Sequence, residues 1–243
     1  PATCTTDGKT EGSHCSVCGA VIKAQTTINA TGHKSSGWIT DKAASIGVKG
    51  SKHKECTVCK KVLETAEIPA LSKISISKAS VTLSTSTYAY DGKAKKPGVT
   101  VKLNGKTLKN GTDYSVTYSN NTKVGTAKVT IKGKGNYSGT ITKTFKINPA
   151  KQEIQKLTAK SKAFFVDWAQ KGSATGYEIQ YATNSKFTSA KKVTITNNKT
   201  DTKTISKLSG KKKYYVRVRS YTTVKGTKYY GAWSSVKNVT TKK

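Results

Sequence analysis

All five cysteines and all three histidines of this 243-residue chain fall within residues 1–72. They include two Cys-x-x-Cys pairs, Cys15-Ser-Val-Cys18 and Cys56-Thr-Val-Cys59, set 41 residues apart. The surrounding sequence repeats weakly at the same offset. Pro1-Ala-Thr-Cys4 aligns with Lys42-Ala-Ala-Ser45, and Ile28-Asn-Ala30 aligns one residue short with Ile68-Pro-Ala70. On that register Gly32-His33 lies opposite Ser72-Lys73. The first unit therefore holds Cys4, Cys15, Cys18 and His33, three thiols and an imidazole, which make a complete tetrahedral zinc set. The second unit keeps its Cys-x-x-Cys but has lost the other two positions together, as expected if Cys4 and His33 complete one site. Two alternatives stay open. Cys15, Cys18, Cys56 and Cys59 would form a ribbon-like four-cysteine site, although 37 intervening residues are long for that pattern. A disulfide framework would leave one cysteine odd.

In each case the chemistry is structural. Four protein ligands leave a metal no open position for water, so the expected cofactor is structural zinc and no catalytic residue is assigned. His14 and His53 are expected to be solvent-facing strand residues. Nothing in the sequence supplies the orienting group or elbow that a Cys–His nucleophile needs. Clustered carboxylates and a phosphate loop are also missing, so the region is not expected to be an enzyme.

The elements that position these residues read as short strands. Lys73-Ile-Ser-Ile-Ser77, Tyr114-Ser-Val-Thr-Tyr118, Ala127-Lys-Val-Thr-Ile131 and Tyr215-Val-Arg-Val-Arg219 alternate apolar and polar residues. Turn dipeptides such as Asn104-Gly105 and Asn110-Gly111 fall between them. No stretch sustains a helical period, so the predicted fold class is all-β. A small Cys-rich module (1–72) would be followed by two β-sandwiches (73–149 and 150–243). No apolar run approaches the ~18–20 residues of a membrane span. The sequence contains no methionine, even at position 1, and reads as a processed piece of something larger.

Charge is the other strong signal. Lys and Arg number 44 against 12 Asp and Glu, a net +32, and only Arg217 and Arg219 are arginines. Residues 73–243 account for +29 of that total. A lysine field is strongly hydrated and diffuse, suited to loose attraction to a polyanion. Base readers rely on the planar arginine fork, so nucleic acid is disfavoured as the partner.

Residues 73–149 carry Gly111-Thr-Asp-Tyr114 and Gly133-Lys-Gly-Asn-Tyr-Ser-Gly139, with Lys96-Pro-Gly-Val-Thr-Val101 before them. This wording resembles the Ig-like repeats of large Gram-positive surface and secreted proteins. Residues 150–243 resemble a fibronectin type III domain. Trp168 stands at the strand-B core position and Tyr177-Glu-Ile-Gln-Tyr181 matches strand C. Leu208 and Tyr214 match the family's leucine and corner tyrosine. The departure is Gly210, which has no proline before it. The resemblances imply a scaffold or adhesion role in a secreted or cell-surface protein, extracellular and monomeric. The expected partner is an anionic cell-wall polymer or glycan, with a host protein as the alternative. Tyr221, Tyr229, Tyr230 and Trp233 are candidates for an aromatic ligand platform; the other reading packs them over the end of the sandwich.

Overall fold

A computed structural model describes residues 1–243 and is all-β, with no helix among its elements. The chain forms two compact units, Pro1–Ile74 and Ser75–Lys243. No helix is long and apolar enough to cross a membrane.

The first unit is built from hairpins with almost nothing inside them. Ser13–His14 pairs with Val21–Lys23, and Gly8–Lys9 pairs with Thr27–Ile28. Ile39–Lys42, Gly50–Glu55 and Val62–Ile68 form a three-stranded antiparallel sheet. Val17, Val21, Ile22, Val58 and Val62 are exposed, and the buried hydrophobic residues of this unit are two cysteines, Cys4 and Cys56.

The repeat is visible in the backbone. Gly8 sits opposite Ile28 as Gly50 sits opposite Ile68, and His14 faces Val21 as Glu55 faces Val62. Gly8 and Gly50 are both sites of close approach: a Cβ would strike the backbone of residues 1–2 in one copy and 42–44 in the other. The Thr31 N–H donates to the Thr3 carbonyl, and the Leu71 N–H donates to that of Ser45. This register puts Ile46, rather than the expected Ser45, at the place of Cys4. His33 still corresponds to Lys73.

The second unit contains two apolar cores. One gathers Ile76, Val101, Tyr114, Val129, Ile131, Phe145 and Ile147; the other gathers Phe164, Trp168, Tyr177, Ile179, Tyr214, Val216 and Val218. Around the first core, Thr140–Asn148 lies between Thr87–Ala89 and Gly125–Gly133, with Tyr114–Ser119 at the far edge. Thr87–Ala89 runs parallel to Lys146–Asn148, while the other pairs in this sheet are antiparallel. The facing sheet has Val99–Leu103 between Ser80–Leu83 and Lys106–Thr107. Alternation along Gly125–Gly133 buries Ala127, Val129 and Ile131 and exposes Thr126, Lys128 and Lys132, as a one-sided strand requires.

Around the second core, Ala163–Trp168 lies between Ile154–Lys160 and Thr202–Ile205. The opposing sheet runs Lys191–Ile195, Gly176–Ala182, Lys213–Val224, with Thr227–Tyr230 and Lys237–Thr240 both paired to that long strand. This is the sandwich layout expected for a fibronectin-type domain. Trp168 is fully buried with its ring 5.4 Å from that of Tyr177. The Tyr214 hydroxyl accepts the Ser209 N–H at 3.2 Å, closing the expected tyrosine corner.

Candidate metal centre

Neither ligand set expected from spacing comes together. The cluster that forms is Cys4, His33, Cys56 and Cys59, with all four ligand atoms within 4.8 Å of one another. Cys4 and His33 belong to the first repeat unit and Cys56 and Cys59 to the second. The reason is a strap. The Ser36 N–H donates to the Glu55 carbonyl at 2.8 Å and the Thr57 N–H donates to the Lys34 carbonyl at 2.8 Å. Residues 34–36 thereby run along the second Cys-x-x-Cys and carry His33 to it. The Thr31–Thr3 hydrogen bond draws Cys4 to the same place.

The second pair sits on a tight knuckle. The Cys56 N–H donates to the Lys61 carbonyl at 2.8 Å, and the Lys60 N–H returns to the Cys56 carbonyl at 2.9 Å. Lys60 closes the turn at φ 63°. Cys4 Sγ and Cys56 Sγ are 3.7 Å apart, and Cys59 Sγ lies 3.4 Å from His33 Nδ1. Tetrahedral zinc, with Zn–S of ~2.3 Å and Zn–N of ~2.0–2.1 Å, sets S···S edges of ~3.7–3.8 Å and S···N edges of ~3.5 Å. Three sulfurs and one imidazole at these separations fit zinc. With four protein ligands the metal would be closed to water and would hold the two repeat units together.

The thiols are prepared unequally. The backbone N–H of Cys59 is the main reason the Cys56 thiol is lowered to about 5. Burial opposes this, and the Val58 N–H, His33 and the Lys34 backbone add to the drop. Burial pushes the Cys4 thiol up to about 11, and Cys56 and Cys59 add to the rise. Near neutral pH Cys56 is therefore a thiolate, while Cys4 keeps a proton that zinc must expel. Falling pH favours the protonated Cys4, so this residue alone should cost about tenfold in zinc affinity per pH unit between about 5 and 11. Competition against a chromogenic chelator at several pH values reads that slope. Replacing Cys4 with Ser should remove one proton from it; an unchanged slope would show that Cys4 is not a ligand.

Cys15 and Cys18 stand on a knuckle of their own, outside the cluster, with Cys18 exposed and Cys15 half-buried. His14 is an exposed strand residue, as expected. His53 is half-buried on its strand, with Nδ1 2.5 Å from Asp41 Oδ1. The positions missing from the second unit are those the first unit lends to it.

The aromatic candidates do not make an open platform. Tyr221 is a core residue, 2% exposed, and the Tyr229 hydroxyl is bonded to Thr126 Oγ1 at 2.8 Å. Trp233 and Tyr230 are half-buried in a stack with both arginines. The Arg217 guanidinium lies 4.1 Å from the Phe187 ring and 4.7 Å from Trp233; that of Arg219 lies 4.3 Å from Trp233 and 3.9 Å from Tyr230. Guanidinium groups thus stack on Trp233 and Tyr230, rings that a sugar would need.

No protein-family model matches the chain, and no curated protein matches it. Similar solved structures include the FN1–FN3 domains of chicken CNTN1, at 13% identity and TM-score 0.35, covering 82% of this chain and 76% of that one. A beta-1,2-glucanase from Parabacteroides distasonis matches at 16% identity and TM-score 0.33, over 48% of this chain and 18% of the glucanase. A structure described as a myokine matches at 14% identity and TM-score 0.33, over 39% of this chain and 99% of the other. Nothing about function follows at these values.

Proposed function

We propose that this chain is a non-catalytic stalk and attachment region of a secreted or cell-surface protein, holding an anionic wall polymer or acidic glycan through its lysines. The observation that carries the reading is the net +29 on residues 73–243, almost all of it unpaired. In that stretch only Lys95, Lys192 and Arg219 have a carboxylate partner. The outer face of the four-stranded sheet illustrates the surface this makes. Lys128, Lys132 and Lys146 stand there among the hydroxyls of Thr117, Thr130 and Thr142, and none of the four strands carries an acidic residue. Ammonium groups beside hydroxyl donors suit a flexible phosphate- or carboxylate-bearing chain better than one rigid ligand. The zinc-pinned first unit, at only +3 over residues 1–72, contributes spacing rather than charge.

The test is a pull-down of the chain with purified Gram-positive cell walls, intact and stripped of teichoic acid, across a salt series. Binding should vanish with the teichoic acid. It should also weaken about tenfold or more between ~0.05 and ~0.5 M salt as the Debye length shrinks. Binding indifferent to both treatments would overturn the reading and direct the search to glycan and protein arrays.

A further inference from the structure

Cys15 and Cys18 repeat the acceptor side of the metal cluster in detail. The Cys15 N–H donates to the Ala20 carbonyl at 2.8 Å and the Gly19 N–H returns to the Cys15 carbonyl at 2.9 Å, the same bonds and lengths as at Cys56. Gly19, at φ 76°, closes the turn as Lys60 does. What is missing is the strap. Ser16, the counterpart of Thr57, has no partner for its N–H, and the hairpin that carries the knuckle is a bare two-stranded sheet. Val17 at its tip is 93% exposed.

The donor side is missing from the second unit in a complementary way. The first unit owns a donor pair, Cys4 and His33, and an acceptor pair, Cys15 and Cys18. The second owns only an acceptor pair, with Ile46 and Lys73 at the donor positions. Within this chain the donor pair is already committed to Cys56 and Cys59.

We propose that Cys15 and Cys18 are the acceptor half of a second zinc site, completed by the cysteine and histidine that a further copy of this repeat unit presents at the positions of Cys4 and His33. Zinc then stitches one unit to the next, each metal spanning a unit boundary rather than sitting inside a unit. The inference rests on the Cys4–His33–Cys56–Cys59 cluster being a zinc site, and the experiment separates the two.

Residues 1–41 are duplicated directly ahead of Pro1 of the full chain. The added donors then precede Cys15 by the same number of residues by which Cys4 and His33 precede Cys56, 52 in the case of the cysteine. Native mass spectrometry should find one zinc on the original chain and two on the extended one. Cys15→Ser with Cys18→Ser should return the extended chain to one zinc and leave the original chain at one. In the zinc-loaded original chain iodoacetamide should label Cys15 and Cys18; in the extended chain both should be protected. The first zinc reports that the extended chain has folded. No zinc on the original chain would defeat the cluster reading itself. One zinc on both chains, or a second zinc indifferent to the serine substitutions, would overturn the stitching proposal alone.

Discussion

Stripping zinc from the chain should unfold residues 1–74 and leave both sandwiches standing. The first unit has no apolar core to fall back on: most of its large aliphatic side chains face water, and its buried hydrophobic residues are Cys4 and Cys56. Chains of this size are marginal even with a proper core. Structural zinc in small domains contributes on the order of 10–16 kcal/mol at neutral pH, more than hairpins held by backbone bonds can replace. Amide NMR spectra recorded before and after chelation should show the resonances of the first unit collapsing toward random-coil positions while those of residues 75–243 stay in place. Cys56→Ser should reproduce the effect without chelator. Cys15→Ser with Cys18→Ser should not, because neither residue touches the cluster. A first unit that keeps its dispersed spectrum after chelation would mean that the thiols hold it together without metal.

Arg219→Ala should destabilise the final sandwich by up to about 3–5 kcal/mol, the cost of removing the main partner of a buried charge. Glu178 is 1% exposed. Its Oε2 accepts both the Nε and the Nη2 of Arg219, at 2.9 and 2.6 Å, and Lys192 reaches Oε1 at 3.2 Å. The substitution also empties the stack between Tyr230 and Trp233. Glu178→Gln removes the charge together with the need for compensation, so it should cost less than the arginine change. Urea unfolding midpoints compare the two variants. A loss under about 1 kcal/mol for Arg219→Ala would show that Lys192 and water suffice for the carboxylate.

The sandwiches were legible because a strand with one wet face writes its burial into alternate residues. Tyr114, Val116 and Tyr118 against Ser115 and Thr117 is one such record, and Trp168 with Tyr214 fixed the last module. The metal centre was legible only in its parts. The two knuckles and the donor residues were in view, but which knuckle the donors reach depends on the pairing of residues 34–36 with 55–57. Backbone bonds of that kind leave no trace in side-chain type. Joint loss of two ligands in the second unit fits a site within the first unit and a clasp between units equally well from sequence. The arginine stack was hidden for a similar reason. Arg217 and Arg219 share a strand face by alternation, yet the chain turn that lays Trp233 over them is tied by Ser234 to the Val218 backbone, at 3.0 Å through its hydroxyl.

The parallel pair at the edge of the middle sandwich has a mechanical meaning. Thr87–Ala89 belongs to the early part of that module and Lys146–Asn148 is its last strand, so tension between the module's two ends drags these segments past each other lengthwise. Their hydrogen bonds, together with those from the Tyr90 and Lys146 amides that flank the pair, then take the load side by side and must fail together. An antiparallel hairpin pulled at its open end would surrender its bonds one after another. If the chain serves as the proposed attachment region, it would carry a shear clamp in its middle sandwich.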